Sequence, residues 1–92
     1  MRFTVEDVED VAMDLDDCAA TACPNEAARL ARNLKRRAVR ARDGEALYAC
    51  AVAAQQRSIA IRARLAGRIQ DALDYEERSE INIDVAREAL RD

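Results

Sequence analysis

Seven carboxylates fall within the stretch from residue 6 to residue 17: Glu6, Asp7, Glu9, Asp10, Asp14, Asp16 and Asp17. Clustered carboxylates can do acid–base work, hold a metal, or attract a cationic partner. General acid–base work needs a partly dry, concave site that drives two pKa values apart. A solvated run of acids does not provide one. The chain has no His, so Cys/His and Ser/His pairs cannot form. Its two glycines, Gly44 and Gly67, make no phosphate loop. The three cysteines, Cys18, Cys23 and Cys50, contain no CxxC pair. Zinc would need four ligands, so no metal, no cofactor and no catalytic residue is expected. An odd number of thiols without a secretory leader predicts reduced cysteines and a cytoplasmic location. Binding remains as the chemistry these residues can support.

A second cluster has the opposite sign. Arg29, Arg32, Lys35, Arg36, Arg37, Arg40 and Arg42 follow one another with Glu26 as the only nearby acid. The net charge of −3 is therefore a cancellation between two polarised segments. Arg exceeds Lys by fourteen to one. Base composition of the coding sequence is the plain reading of that bias; bidentate recognition of carboxylate or phosphate is the sharper one.

The elements that position these charges are helices. Twenty residues are Ala, only one is Pro, and aromatics make up 3%, which favours helix over strand. The expected fold is all-α, a single helical domain over residues 1–92. In it an antiparallel helical hairpin packs on a long third helix, with a short C-terminal helix. The expected spans are about 5–22, 24–42, 45–78 and 83–91. Thr4 with Asp7 three residues later predicts a carboxylate capping box. Val5, Val8, Ala12, Leu15, Ala19 and Ala22 then trace one helical face. Pro24 fits the first turn of helix two. Its stripe is Ala27, Leu30, Ala31, Leu34, Ala38 and Ala41, and Asp43-Gly44 is expected to close it with a left-handed glycine. Residues 46–54 are apolar throughout, which predicts burial on several sides or by a partner. Gly67 marks a bend or a close crossing within helix three. Ser79 or Asn82 is expected to cap the last helix. An Ala-rich core of this size stabilises weakly, about 3–5 kcal/mol, which favours a homodimer. No apolar run reaches the ~18 residues of a membrane span.

At 100° per residue, the charges divide into two sets. Asp7, Asp14, Glu9 and Asp16 flank the apolar stripe of helix one, and Lys35, Arg37 and Arg42 flank that of helix two. These are expected to pair between the two helices, as flanking residues do in coiled coils. Glu6, Asp10 and Asp17 point away from the core, with Met13 among them, where a monomer gains nothing from it. Arg29, Arg32, Arg36 and Arg40 point away on helix two. Either row is accounted for by solvation alone. The functional expectation is a non-enzymatic protein-binding module. Its acidic face, Glu6, Asp10, Met13 and Asp17, and exposed apolar parts of helix three would engage a basic protein. Such a face can imitate the phosphates of a nucleic acid, as small acidic inhibitors carried by phages and mobile elements do. The alternatives are nucleic-acid binding through Arg29, Arg32, Arg36 and Arg40, and a structural subunit of a helical homo-oligomer. Finally, Gln55, Ser58 and Arg62 fall within the broad apolar arc of helix three. If the helix is continuous, they predict a buried polar layer in which the Arg takes a carboxylate from helix one or from a second subunit; a helix break near Arg57 would instead turn the layer to solvent. Arg57, Arg64 and Arg68 are expected to form a separate outward row.

Overall fold

The computed structural model describes residues 2–91. It contains four helices, α1 (Val5–Ala20), α2 (Pro24–Ala38), α3 (Gly44–Leu65) and α4 (Ile69–Ala89), and no strand among the described residues. The expected all-α bundle is what the chain forms. Helix α3 is the axis. It packs closely along α2 on one side and along α4 on the other, while α1 lies over this layer and touches all three. The ion pair of Arg57 with Asp16 and the cation–π contact of Arg37 with Phe3 fix α1 in that position.

Alanine explains the unequal spacing. Eleven of the 21 buried apolar residues described are Ala, and seven of them lie on α3: Ala46, Ala49, Ala51, Ala53, Ala54, Ala60 and Ala63; Ala27 and Ala31 on α2 and Ala72 and Ala86 on α4 make up the rest. Single methyl groups let two helix backbones approach more closely than the 8–10 Å set by larger side chains allows. By contrast, α1 presents Val8, Val11 and Leu15, all buried. Their greater reach holds α1 farther off. The closest helix pairs are therefore α2–α3 and α3–α4, and α1 lies no nearer to α2 than to α3 or α4.

Helix ends differ from the expected ones for identifiable reasons. Thr4 and Asp7 form the predicted capping box: Thr4 N donates to Asp7 Oδ2 at 2.8 Å, and Asp7 N donates to Thr4 Oγ1 at 3.3 Å. At its other end α1 stops at Ala20, not Ala22. Ala22 has φ 53°; its N–H donates to Ala19 O, and Cys23 N–H donates to Cys18 O. That pair of bonds is a Schellman motif with alanine in the left-handed position that glycine normally takes. Gly67, φ 78°, occupies the same position after α3. Its N–H donates to Arg64 O, and Arg68 N–H donates to Ala63 O at 2.8 Å.

This stop divides the expected long helix three, which does not run on to residue 78. Its second half joins the expected short C-terminal helix as the 21-residue α4. Neither Ser79 nor Asn82 caps a helix. Ser79 is buried within α4 and donates to Ala53 O of α3 at 2.8 Å, and Asn82 donates to Gln56 Oε1 at 2.9 Å. Nor is Gly44 a left-handed cap. It is the first residue of α3, and a Cβ there would lie 2.6 Å from Ala38 O. The chain needs glycine at that position for close backbone approach. Helix α2 ends at Ala38 rather than Arg42, leaving Arg40 and Arg42 in the connection to α3.

The two left-handed residues have opposite mutational signs. Around Gly67 there is open space, so Gly67→Ala should cost only backbone strain, about 1–2 kcal/mol. Ala22→Gly should relieve the same strain, less the extra unfolded-state entropy of glycine, for a net gain of about 0.5–1 kcal/mol. Urea denaturation of the two variants checks both signs.

Candidate functional site

The acidic residues divide in two, though not as expected. Two α1 carboxylates make long-range ion pairs, and neither pairs with α2. Glu9 accepts from Arg87 of α4 through both oxygens, at 2.6 and 2.7 Å. Asp16 accepts from Arg57 of α3 at 3.2 Å. Asp7 is taken by the capping box, and Asp14 has no described cation within ion-pair distance. No described ion pair joins α1 to α2, so Lys35, Arg37 and Arg42 do not pair with helix-one acids. The reason is the lie of α1 over the layer: its flanking carboxylates come down on α3 and α4. Arg37 instead places its guanidinium 5.5 Å from the centre of the Phe3 ring.

The Glu9–Arg87 pair is the strongest of these. The Arg87 hydrogen bonds hold the Glu9 carboxyl below its usual range and push the Arg87 guanidinium up. A second bidentate pair ties α3 to α4: Arg64 donates to Glu76 at 2.6 and 2.9 Å. That bond lowers the Glu76 carboxyl in the same way. Arg64 was expected in an outward row, as was Arg57. In the structure Arg57 is the inward one, with its side chain 13% exposed and its Nε buried without a partner.

The expected polar layer is only partly present. Ser58 is buried and donates to Pro24 O at 2.9 Å, fastening the start of α2 to α3. Gln55 and Arg62 are exposed. Arg62 takes no carboxylate; it donates to Asn25 Oδ1 at 2.8 Å. The reading that a helix-one acid neutralises an α3 arginine holds for Arg57 and fails for Arg62. Helix α3 is apolar almost all round, so its wheel has no single inward direction from which to choose between them.

What remains after this network is two exposed rows of opposite sign. On α1, Glu6, Asp10, Met13 and Asp17 are all exposed, and Met13 is 64% exposed. None of the three carboxylates has a described cation within ion-pair distance. On α2, Arg29, Arg32 and Arg36 are exposed without a described carboxylate partner; Arg36 donates to Asn33 Oδ1 of the same helix. Arg40 is exposed as well but lies beyond the helix end. Beside this row, on the side of the layer away from α1, α2 and α3 enclose a groove of about 310 Å³. Ala31, Ala51, Val52 and Tyr48 give it an apolar lining, and Arg32, Lys35, Gln55 and Gln56 a polar one.

The cysteines take no part in either row. Cys18 and Cys50 are buried, Cys23 is half-buried, and all three are free. Burial pushes the Cys50 thiol up to about 11 and raises Cys18 as well. No group of three described Cys, Asp or Glu side chains is placed to hold a metal ion. No described helix is long and apolar enough to cross a membrane.

Lowered carboxyl pKa values make the two bidentate pairs pH-dependent with a definite sign. Their stabilisation is complete above the ordinary carboxylate value of 4.5 and is lost as pH falls below it. The Tm should therefore hold level down to about pH 5 and then fall. The Glu9→Gln/Glu76→Gln variant should melt lower at neutral pH and fall less steeply in acid, as thermal melts from pH 7 to 3 will show. Compared with protein-family models, with curated proteins and with solved structures, the chain shows no significant match to any of them.

Proposed function

We propose that the protein is a non-enzymatic binding module that engages a basic partner protein through the outward face of α1. The observation that carries this reading is the composition of that face once the internal pairs are made. Glu6, Asp10 and Asp17 remain exposed and without a described cation, and they surround a methionine that is 64% exposed. A rise of 1.5 Å per residue spaces Glu6 and Asp10 about 6 Å apart along the axis, and Asp10 and Asp17 about 10 Å apart. Carboxylates in such a line attract Lys and Arg from a distance and orient the encounter. Methionine supplies an adaptable apolar contact at the centre. A row of anionic oxygens along one rigid edge is also how a nucleic acid presents itself to basic proteins, which supports an inhibitory role by mimicry.

A second reading, nucleic-acid binding, is favoured by one observation of its own. Arg29, Arg32 and Arg36 have no described carboxylate partner, and Arg36 spends one donor on Asn33 of its own helix, so all three keep donors for phosphate. Three phosphate contacts give a slope of log K against log salt of about −2.7 on duplex DNA.

Charge reversal separates the two. Asp10→Lys/Asp17→Lys should abolish capture of the partner from the native host, with affinity falling roughly tenfold or more, while far-UV circular dichroism stays unchanged. Equal capture by the variant and the wild type would overturn the α1 reading. Fluorescence anisotropy with a DNA duplex at low salt tests the second, and the absence of binding there eliminates it.

A further inference from the structure

The α1 reading asks for a basic surface with an apolar hollow, and the molecule carries one itself. In the groove between α2 and α3, Ala31, Ala51, Val52 and the 54% exposed Tyr48 give an apolar lining, and Arg32 and Lys35 are cations with no described carboxylate partner. The two surfaces match in chemistry. On α1 the order along the helix is carboxylate, methionine, carboxylate: Asp10, Met13, Asp17. At the groove, Arg32 and Lys35, three residues apart on α2, border a hollow lined by Ala31, Ala51, Val52 and Tyr48, with Gln55 and Gln56 at its polar side. The charge complement is local as well as global, since the α1 segment carries only acids and the α2 segment is nearly all base.

Their placement excludes contact within one copy. Arg57 of α3 reaches Asp16 of α1. At 100° per residue, Tyr48, Val52 and Gln55 lie on the opposite side of α3 from Arg57. The acidic row and the basic groove therefore face away from each other across the helix layer. A groove of similar size, at Asp16, Arg57, Asp84 and Arg87, is lined mostly by charges that already pair with one another.

We propose that α1 of one copy docks in the α2–α3 groove of a second copy, with Met13 in the hollow and Asp10 and Asp17 against Arg32 and Lys35. This proposal rests on the reading of α1 as the binding face and names its basic partner as the chain itself. The contact is heterologous: each copy offers a donor helix on one side and an acceptor groove on the other. Such contacts propagate head to tail into rings or open chains instead of closing as two-fold dimers.

Sedimentation velocity on the full chain tests this. At about 0.01 M salt, where the Debye length is about 30 Å, the average mass should rise with protein concentration. At about 1 M, where it is about 3 Å, the protein should return to monomer. Two neutralised variants complete the test. Asp10→Asn/Asp17→Asn keeps the groove, and Arg32→Gln/Lys35→Gln keeps the donor helix. Each alone should be monomeric at low salt, with unchanged circular dichroism. Mixed, they should form a 1:1 pair and nothing larger, because one donor and one groove survive between them. Wild type that stays monomeric at low salt, or a mixture that does not pair, overturns the proposal. A labelled oligo-arginine peptide, titrated at low salt into monomeric wild type and the Asn variant, then separates the two levels. Where wild type has stayed monomeric, peptide binding that is lost in the Asn variant confines the failure to self-docking, and equal binding by both overturns the α1 reading with it.

Discussion

Alanine lines the flanks of α3, and its single methyl group sets how near α2 and α4 can lie. Close approach on both sides turns three helices into a layer, and the rest of the molecule follows from that layer. The two connections of the layer must be short and sharp, which is why Gly44 sits 2.6 Å, by its missing Cβ, from the Ala38 carbonyl oxygen, and why Gly67 reverses the chain in a left-handed conformation. Small side chains also bury little area each, so packing alone stabilises weakly. Hydroxyls fill part of that deficit. Ser58 and Ser79 are small enough to sit among the alanines, and each bonds a backbone carbonyl of the neighbouring helix. A hydrogen bond of this kind contributes about 1 kcal/mol and fixes register as well.

Larger side chains hold α1 off the layer, and charge fixes where it rests. Arg57 and Arg87 rise from α3 and α4 to meet Asp16 and Glu9. Exposed pairs contribute little energy, about 0–1 kcal/mol, but two pairs seven residues apart on α1 set both its position and its rotation. By using the carboxylates on the inner edges of α1, they leave those on its outer edge without an internal role. The division between structural and surface charge is thus made by α3 and α4. The basic helix next in sequence takes no share in it.

Much of this was legible in the residues, and the failures are instructive. The capping box and the outward row of α1 were readable, but its inward face only in part: Val8 and Leu15 are buried with Val11 and Cys18, while Val5, Ala19 and Ala22 of the expected stripe are exposed. The stop after α3 was not readable from Gly67 alone, because a glycine within a helical pattern is tolerated at modest cost and only the left-handed geometry shows that it ends the helix. The choice of Arg57 over Arg62 as the inward arginine was hidden for a different reason. A helix contacted on three sides has apolar residues around most of its circumference, and periodicity then carries no direction. The expected pairing of α1 with α2 failed because it took neighbours in sequence for neighbours in space. A tight turn at Ala22 joins the two helices without laying them side by side.

The uneven spacing of the helices also bears on the order in which the molecule comes apart. Helices α3 and α4 are sequence neighbours joined by a three-residue turn, they contact along their length, and Arg64 and Glu76 clamp them near the turn. Contacts so local in sequence form early and open last. Helix α1 is the reverse. Its ties to Arg57 and Arg87 span 41 and 78 residues, and its backbone stands apart from the others. It is joined to α3 and α4 only by contacts distant in sequence. The acidic row is therefore carried on the helix whose ties to the rest of the molecule span the most sequence.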